Sequence, residues 1–294
     1  MVPVGLQMFN GGWGWILCFG SLGMALAALQ WRRPGTPGKW ECTILIIYVT
    51  ILLGQLLHHT AQSWPVGNSD PAVPLILLVL AARSAQKGPC AAARVGAVLF
   101  WVALGLYLAV FAAGVKDVKP EWLLPTMKMP SMLPLVLFLL PSATTALLTE
   151  RATPGKKGVL TIGFVVAGMA ITSGVLSPRM AGELPNAFYE MSRSLDLMGV
   201  ARRFEATICA GATVGWFALF SVLLTLCGSY FEKMAQGKGR AGVWLTVVGA
   251  AGWKLCGLHI NPMHVLLAGA VFWVGKPLLT QGLDREKKVV KNRK

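Results

Sequence analysis

Residues 184–217 read LPNAFYEMSRSLDLMGVARRFEATICAGATVGWF, and this stretch decides how the chain is read. It gathers Glu190, Arg193, Asp196, Arg202, Arg203 and Glu205 into a few turns, then runs without a break into an apolar segment. Charge beside a long apolar run is costly and needs a structural or functional reason. Leu184, Phe188, Met191, Leu195 and Met198 recur at helical spacing. That spacing predicts a short amphipathic helix, either lying on a surface or folded into the mouth of a helical bundle. An interfacial loop helix with no ligand role fits the same pattern.

The surrounding chain supplies the setting. Hydrophobic residues make up 55% of the 294 residues and only 13% are charged, with a mean hydropathy of +0.60. A soluble domain carries about 25% charged residues. In lipid, each long apolar run must satisfy its own backbone hydrogen bonds, which selects helices. The expected fold is therefore an all-α, polytopic integral membrane bundle forming a single membrane domain. Nine apolar segments are read at about 13–31, 42–59, 71–86, 91–115, 129–149, 158–177, 206–228, 241–258 and 262–276, against the roughly 17–25 residues a span needs. Pro71, Pro74, Pro134, Pro141 and Pro262 start or interrupt several of them, and each removes a backbone donor.

The net charge of +15 does not point to nucleic acid, because the basic residues sit in short clusters between apolar runs. Alternate loops carry Arg32, Arg33 and Lys39, then Arg83, Lys87 and Arg94, then Arg151, Lys156 and Lys157, then Lys233, Lys238 and Arg240. With seven more in the tail 277–294 and at Lys276, 19 of the 27 basic residues fall on one side. Positive loops face the cytoplasm, which predicts a cytoplasmic C-terminus and puts residues 184–203 outside. The six cysteines lie mostly in apolar runs and read as small buried hydrophobes. No signal-peptide cleavage pattern stands out.

Three motifs, in order, resemble one family. FYEMSRS with GVARRFEA and VGWF, the loop KGPCAAARVGAVLF (87–100) and the run EWLLPTM (121–127) are similar to the spore germination permease family, the B subunits of GerA-type germinant receptors. The aromatic–acidic step at Tyr189 and Glu190 and the pair Arg193–Ser194 carry much of the likeness. The resemblance implies membership of the amino acid–polyamine–organocation superfamily and a LeuT-like plan of two inverted five-span repeats, with the ligand at a broken helix near mid-membrane. It implies a small nutrient such as an amino acid as ligand, germinant-receptor A- and C-type subunits as partners, and the spore inner membrane as location. NGGWGW (10–15) matches the entry to the family's second span, so the first family span is expected to be missing or to lie upstream.

Under this resemblance 129–149 is the sixth family span, and Pro141, Ser142, Thr144 and Thr145 would line the ligand site. The competing reading is a kinked packing helix whose hydroxyls bond back to the preceding turn. Tyr189, Glu190, Arg193, Arg203 and Glu205 would form an outer helix or gate, with Arg203 and Glu205 pairing with each other or with Arg193 and Glu190; headgroup anchoring fits them equally. Cys256, His259 and His264 lack an evident fourth ligand, so no metal is expected. His58 and His59 read as interfacial polar residues, and Lys254 as a snorkelling side chain or a cation mimic. The chain has no His-Glu-x-x-His, Gly-x-Ser-x-Gly or nucleotide-binding loop and no paired intramembrane carboxylates, so neither an enzyme nor a cofactor is expected. A secondary amino-acid transporter and a degenerate membrane scaffold remain alternative functions.

Overall fold

The computed structural model describes residues 39–62, 72–123, 166–184, 187–195 and 205–258. Among these the regular structure is helical, without strands. The helices are α1 (Lys39–Gln62), α2 (Ala72–Gln86) and α3 (Pro89–Gly114), α4 (Val166–Leu176), then α5 (Pro178–Glu183), α6 (Ala187–Ser194), α7 (Glu205–Met234) and α8 (Gly239–Leu255). Two 3-10 turns, Val115–Asp117 and Pro120–Leu123, follow α3. Lys39–His58 and Ile208–Met234 are long and apolar enough to cross a membrane, while Ala72–Ala85 and Val166–Leu176 are shorter apolar helices. The expected segments 13–31, 129–149 and 262–276 lie outside the described residues.

The helix ends follow local chemistry. Gly88, at φ 90, breaks the chain after α2, and Pro89 opens α3, where a missing N–H costs nothing. The turn between α7 and α8 needs the left-handed backbone of Gly237, at φ 79. One side chain fastens it: Glu232 accepts from the Gly237 N–H at 3.0 Å and from the Gly239 N–H at 2.9 Å. A carboxylate on the first amides of a helix complements both the free donors and the dipole. Helix α7 runs past the expected end at 228 to Met234, because Tyr230 is buried with Cys42, Leu45 and Ile46 of α1.

Helix α7 is central, packing on α1, α2, α3 and α8. Its inner face presents Trp216, Leu219, Phe220, Leu223, Leu224 and Cys227 to Leu52, Leu53 and Leu56 of α1 and Leu78, Ala81 and Ala82 of α2. The hairpin brings Phe231 against Gly242 and makes α7 and α8 antiparallel. Helix α8 lies parallel to α1, with Thr50 meeting Gly249 and Gly54 meeting Trp253. Thr43 of α1 reaches Met234, and Arg83 of α2 lies 5.9 Å from the Trp244 ring centroid.

These contacts set a polarity. Lys39, Arg83, Lys87, Lys233, Lys238 and Arg240 all belong to one end of the bundle. The other end gathers the close of α3, its 3-10 turns, the close of α4, helices α5 and α6, and the start of α7. Described members of three of the basic clusters that alternate along the sequence thus meet in space, opposite the end that carries FYEMSRS. Cys42 and Cys227 are buried and unbridged, as small hydrophobes are; Cys209 is half-buried, and Cys256 is exposed.

Candidate functional site

Helix α6 is built as an amphipathic cover on the non-basic end of the bundle. Ala187, Phe188 and Met191, with Leu195 just beyond, are buried, whereas Arg193 and Ser194 are exposed. Phe188, Met191 and Leu195 of the expected apolar stripe are therefore buried together, with Arg193 on the other face; Asp196 and Met198 lie outside the described residues. Phe188 stacks on Tyr107 of α3 with ring centroids 5.4 Å apart and planes at 11°, and meets Phe111 edge-on at 5.9 Å. Met191, Leu195 and Ile208 complete a cluster with Val110 and Ala113, separate from the main core. Tyr107 can reach this depth because Gly211 of α7 has no side chain; a Cβ there would stand 2.8 Å from Tyr107 Cε2.

The helix is shorter than the apolar repeat through Met198 suggests. It closes at Ser194, where the hydroxyls of Ser192 and Ser194 donate back to the carbonyls of Tyr189 and Met191, each at 2.7 Å. Such bonds offer the backbone an alternative to continuing the helix.

The connection into this cover is tight. Ser177, between α4 and α5, sits at φ 72, a backbone region unfavourable for a residue with a Cβ. It nevertheless caps α5, its hydroxyl accepting from the Met180 N–H at 3.4 Å, with Pro178 in the first turn. Nearby, the Lys119 N–H donates to the Gly174 carbonyl at 3.0 Å, tying the segment after α3 to α4. Lys119 Nζ lies over the Trp122 ring at 4.4 Å from its centroid.

Of the charged residues expected to gate this end, Glu190 and Arg193 come together: Arg193 Nη1 is 3.9 Å from Glu190 Oε2. Their side chains are 38% and 65% exposed, so the pair contributes about 0–1 kcal/mol. The cover is held by its aromatic face. Tyr189 is half-buried against the same cluster. Glu205 is the first residue of α7. Arg203 lies outside the described residues, as do Pro141, Ser142, Thr144 and Thr145, and with them the expected ligand site. The expectation of no metal has its candidates His259 and His264 outside the described residues too; among the described residues there is no group of three or more His, Cys, Asp or Glu that could hold a metal.

Two features escape a reading of the sequence. The first is polar atoms buried in apolar helices: Tyr48, Tyr107 and Tyr230 hydroxyls, Ser221 Oγ, Gln55 Nε2 and Trp253 Nε1 find no hydrogen-bond partner among the described residues. The second is a link between Lys254 Nζ and His58 Nδ1 at 3.3 Å, across 196 residues of chain. Polar residues inside helices that read as apolar were the available signal; their pairing was not.

A scan against protein-family models finds no match to this chain, and a search of the curated proteins finds none either.

Proposed function

We propose that the chain is a membrane-embedded nutrient sensor of the germinant-receptor B-subunit type, with a LeuT-like arrangement of spans. In this reading it sits in the inner membrane of a spore with its C-terminus in the cytoplasm. It responds to a small nutrient such as an amino acid, together with A- and C-type subunits. The observation that carries the reading is the docking of the FYEMSRS helix, α6, on the end of the bundle opposite the basic helix ends. That arrangement suits a lid over an outward-facing mouth.

The lateral surface supports a lipid setting. Trp40, Ile44 and Ile47 of α1, Ile76, Val79 and Leu80 of α2, Val98, Trp101 and Val102 of α3, and Leu245 and Val248 of α8 are large apolar side chains left exposed. Each set recurs at helical spacing. Soluble monomers rarely expose contiguous apolar patches beyond a few hundred Å², whereas lipid-facing helices need such faces. Basic residues at one end fit the cytoplasmic side.

The mechanism in this proposal is a shift between lid-closed and lid-open states. A ligand moves that balance only by its difference in affinity for the two. The half-site at Pro141, Ser142, Thr144 and Thr145 would receive the nutrient, and α6 would report its arrival through Phe188 and Tyr107. Glu190, Arg193, Arg203 and Glu205 would tune the lid.

Deletion of the gene in a spore-forming host, followed by germination on single nutrients, tests the reading. Loss of one nutrient response, restored by the wild-type gene and altered by Thr144→Val with Thr145→Leu, is expected. Unchanged germination on every nutrient would sink the proposal. Uptake of amino acids by proteoliposomes holding the chain alone would favour a permease instead.

A further inference from the structure

Toward the far ends of α1 and α8, Gln55, Trp253 and Lys254 carry hydrogen-bond donors within a turn of two contacts that join the helices, and neither the core nor the α6 cover uses them. Gly54 lets the Trp253 side chain lie directly on α1; a Cβ at that position would stand 2.6 Å from Trp253 Cδ1. One turn beyond Gly54, His58 Nδ1 meets Lys254 Nζ at 3.3 Å. An ammonium can only donate, so Nδ1 accepts and the imidazole proton sits on Nε2. Gln55, beside Gly54 and three residues before His58, is only 6% exposed. Its Nε2 and the buried Trp253 Nε1 have no partner among the described residues.

The chemistry of this group is one-sided. Lys254 and the Trp253 indole are donors in any orientation. Among the described residues no carboxylate forms an ion pair with Lys254. A cation with an indole N–H next to it in sequence and a buried amide one turn away on α1 offers donors to negatively charged oxygen, and Lys254 also offsets the partial negative charge at the C-terminal end of α8.

We propose that the junction of α1 and α8 binds an anionic oxygen group, a phosphate or a carboxylate, through Lys254 and Trp253 Nε1, with Gln55 as a further donor. Leu255 and Leu258 are exposed at the same end of α8. A phospholipid headgroup with its chains along α8 and a free anion arriving from water therefore share the site's chemistry. The proposal rests on the packing of α1 against α8 and is independent of the nutrient reading.

The test uses the full chain purified in a neutral maltoside detergent. Thermal unfolding is followed while inorganic phosphate, phosphatidylglycerol or phosphatidylcholine is added, with chloride at matched ionic strength as control. A rise in midpoint with phosphate identifies a soluble anion. A rise with phosphatidylglycerol, but not with phosphatidylcholine or phosphate, identifies a lipid headgroup. In either case Lys254→Gln weakens the apparent affinity about tenfold and Lys254→Arg retains most of it. Trp253→Phe keeps the packed ring, removes the N–H and weakens binding several-fold, which keeps the test open if Lys254→Gln fails to fold. No response to phosphate or phosphatidylglycerol overturns the proposal, as does an equal response in Lys254→Gln and Trp253→Phe.

Discussion

Replacing Phe188 with alanine removes the side chain that holds α6 to the bundle. Phe188 is 1% exposed and touches both Tyr107 and Phe111. Truncating a buried phenylalanine costs about 3–5 kcal/mol, and each well-placed aromatic pair accounts for about 0.5–1.5 kcal/mol of such packing beyond area alone. The end of the bundle faces water in this account, so the hydrophobic term applies in full. The loss falls first on α6, which is eight residues long and cannot persist as an isolated helix. At about 3 kcal/mol, local opening becomes more than 100-fold more frequent. Hydrogen exchange read by mass spectrometry on the purified chain measures this directly. Amides of 188–195 should lose about two orders of magnitude of protection, while those of the α7–α8 hairpin keep theirs. Phe188→Leu retains most of the buried area and loses the two ring pairs, so it should fall between. Wild-type protection of α6 in a folded Phe188→Ala protein would refute the idea that this side chain is the latch.

Three further outcomes follow from the geometry. Gly54→Ala would gain about 1 kcal/mol of helix propensity, but its Cβ would stand 2.6–2.9 Å from three Trp253 side-chain atoms; a net fall in melting temperature is expected, and a rise would show that α8 moves aside freely. Glu232→Ala removes the acceptor of two amides and should cost about 1–2 kcal/mol in denaturant titration, with Glu232→Gln less severe because one acceptor oxygen survives; no loss in either would mean water replaces the carboxylate. Ser177→Gly relieves a backbone at φ 72 and gives up a weak cap worth a few tenths of a kcal/mol relative to glycine, so unfolding should shift upward by about 1 kcal/mol; a downward shift would show that the cap outweighs the strain.

Much of this architecture could be anticipated from residue order. The apolar runs at 42–59, 71–86, 91–115, 206–228 and 241–258 correspond to α1, α2, α3, α7 and α8 with modest changes at the ends. Apolar length selects helix, whatever the tertiary partners are. The ends moved where a side chain found a distant partner, as Tyr230 did among Cys42, Leu45 and Ile46. The buried stripe Phe188–Met191–Leu195 was readable from its period, and the stop at Ser194 was not, because it depends on hydroxyls turning back on their own helix. Of the residues expected at the gate, Glu190 and Arg193 lie 3.9 Å apart, and the contact of α6 with the bundle runs through its aromatic face. Charge stands out in an apolar chain, whereas the contact of Phe188 with Tyr107, far earlier in the chain, leaves no mark in residue order. The Lys254–His58 link and the approach of Trp253 to Gly54 are hidden for the same reason.

The central claim is that the α6 cover and the basic helix ends lie on opposite sides of a membrane. Single cysteines at Ser194 and at Gln236, in a chain whose six native cysteines are replaced, can be labelled in sealed right-side-out vesicles with a membrane-impermeant maleimide. The account predicts that Ser194→Cys reacts and that Gln236→Cys reacts only after the vesicles are opened. Equal labelling of both positions in sealed vesicles would contradict it.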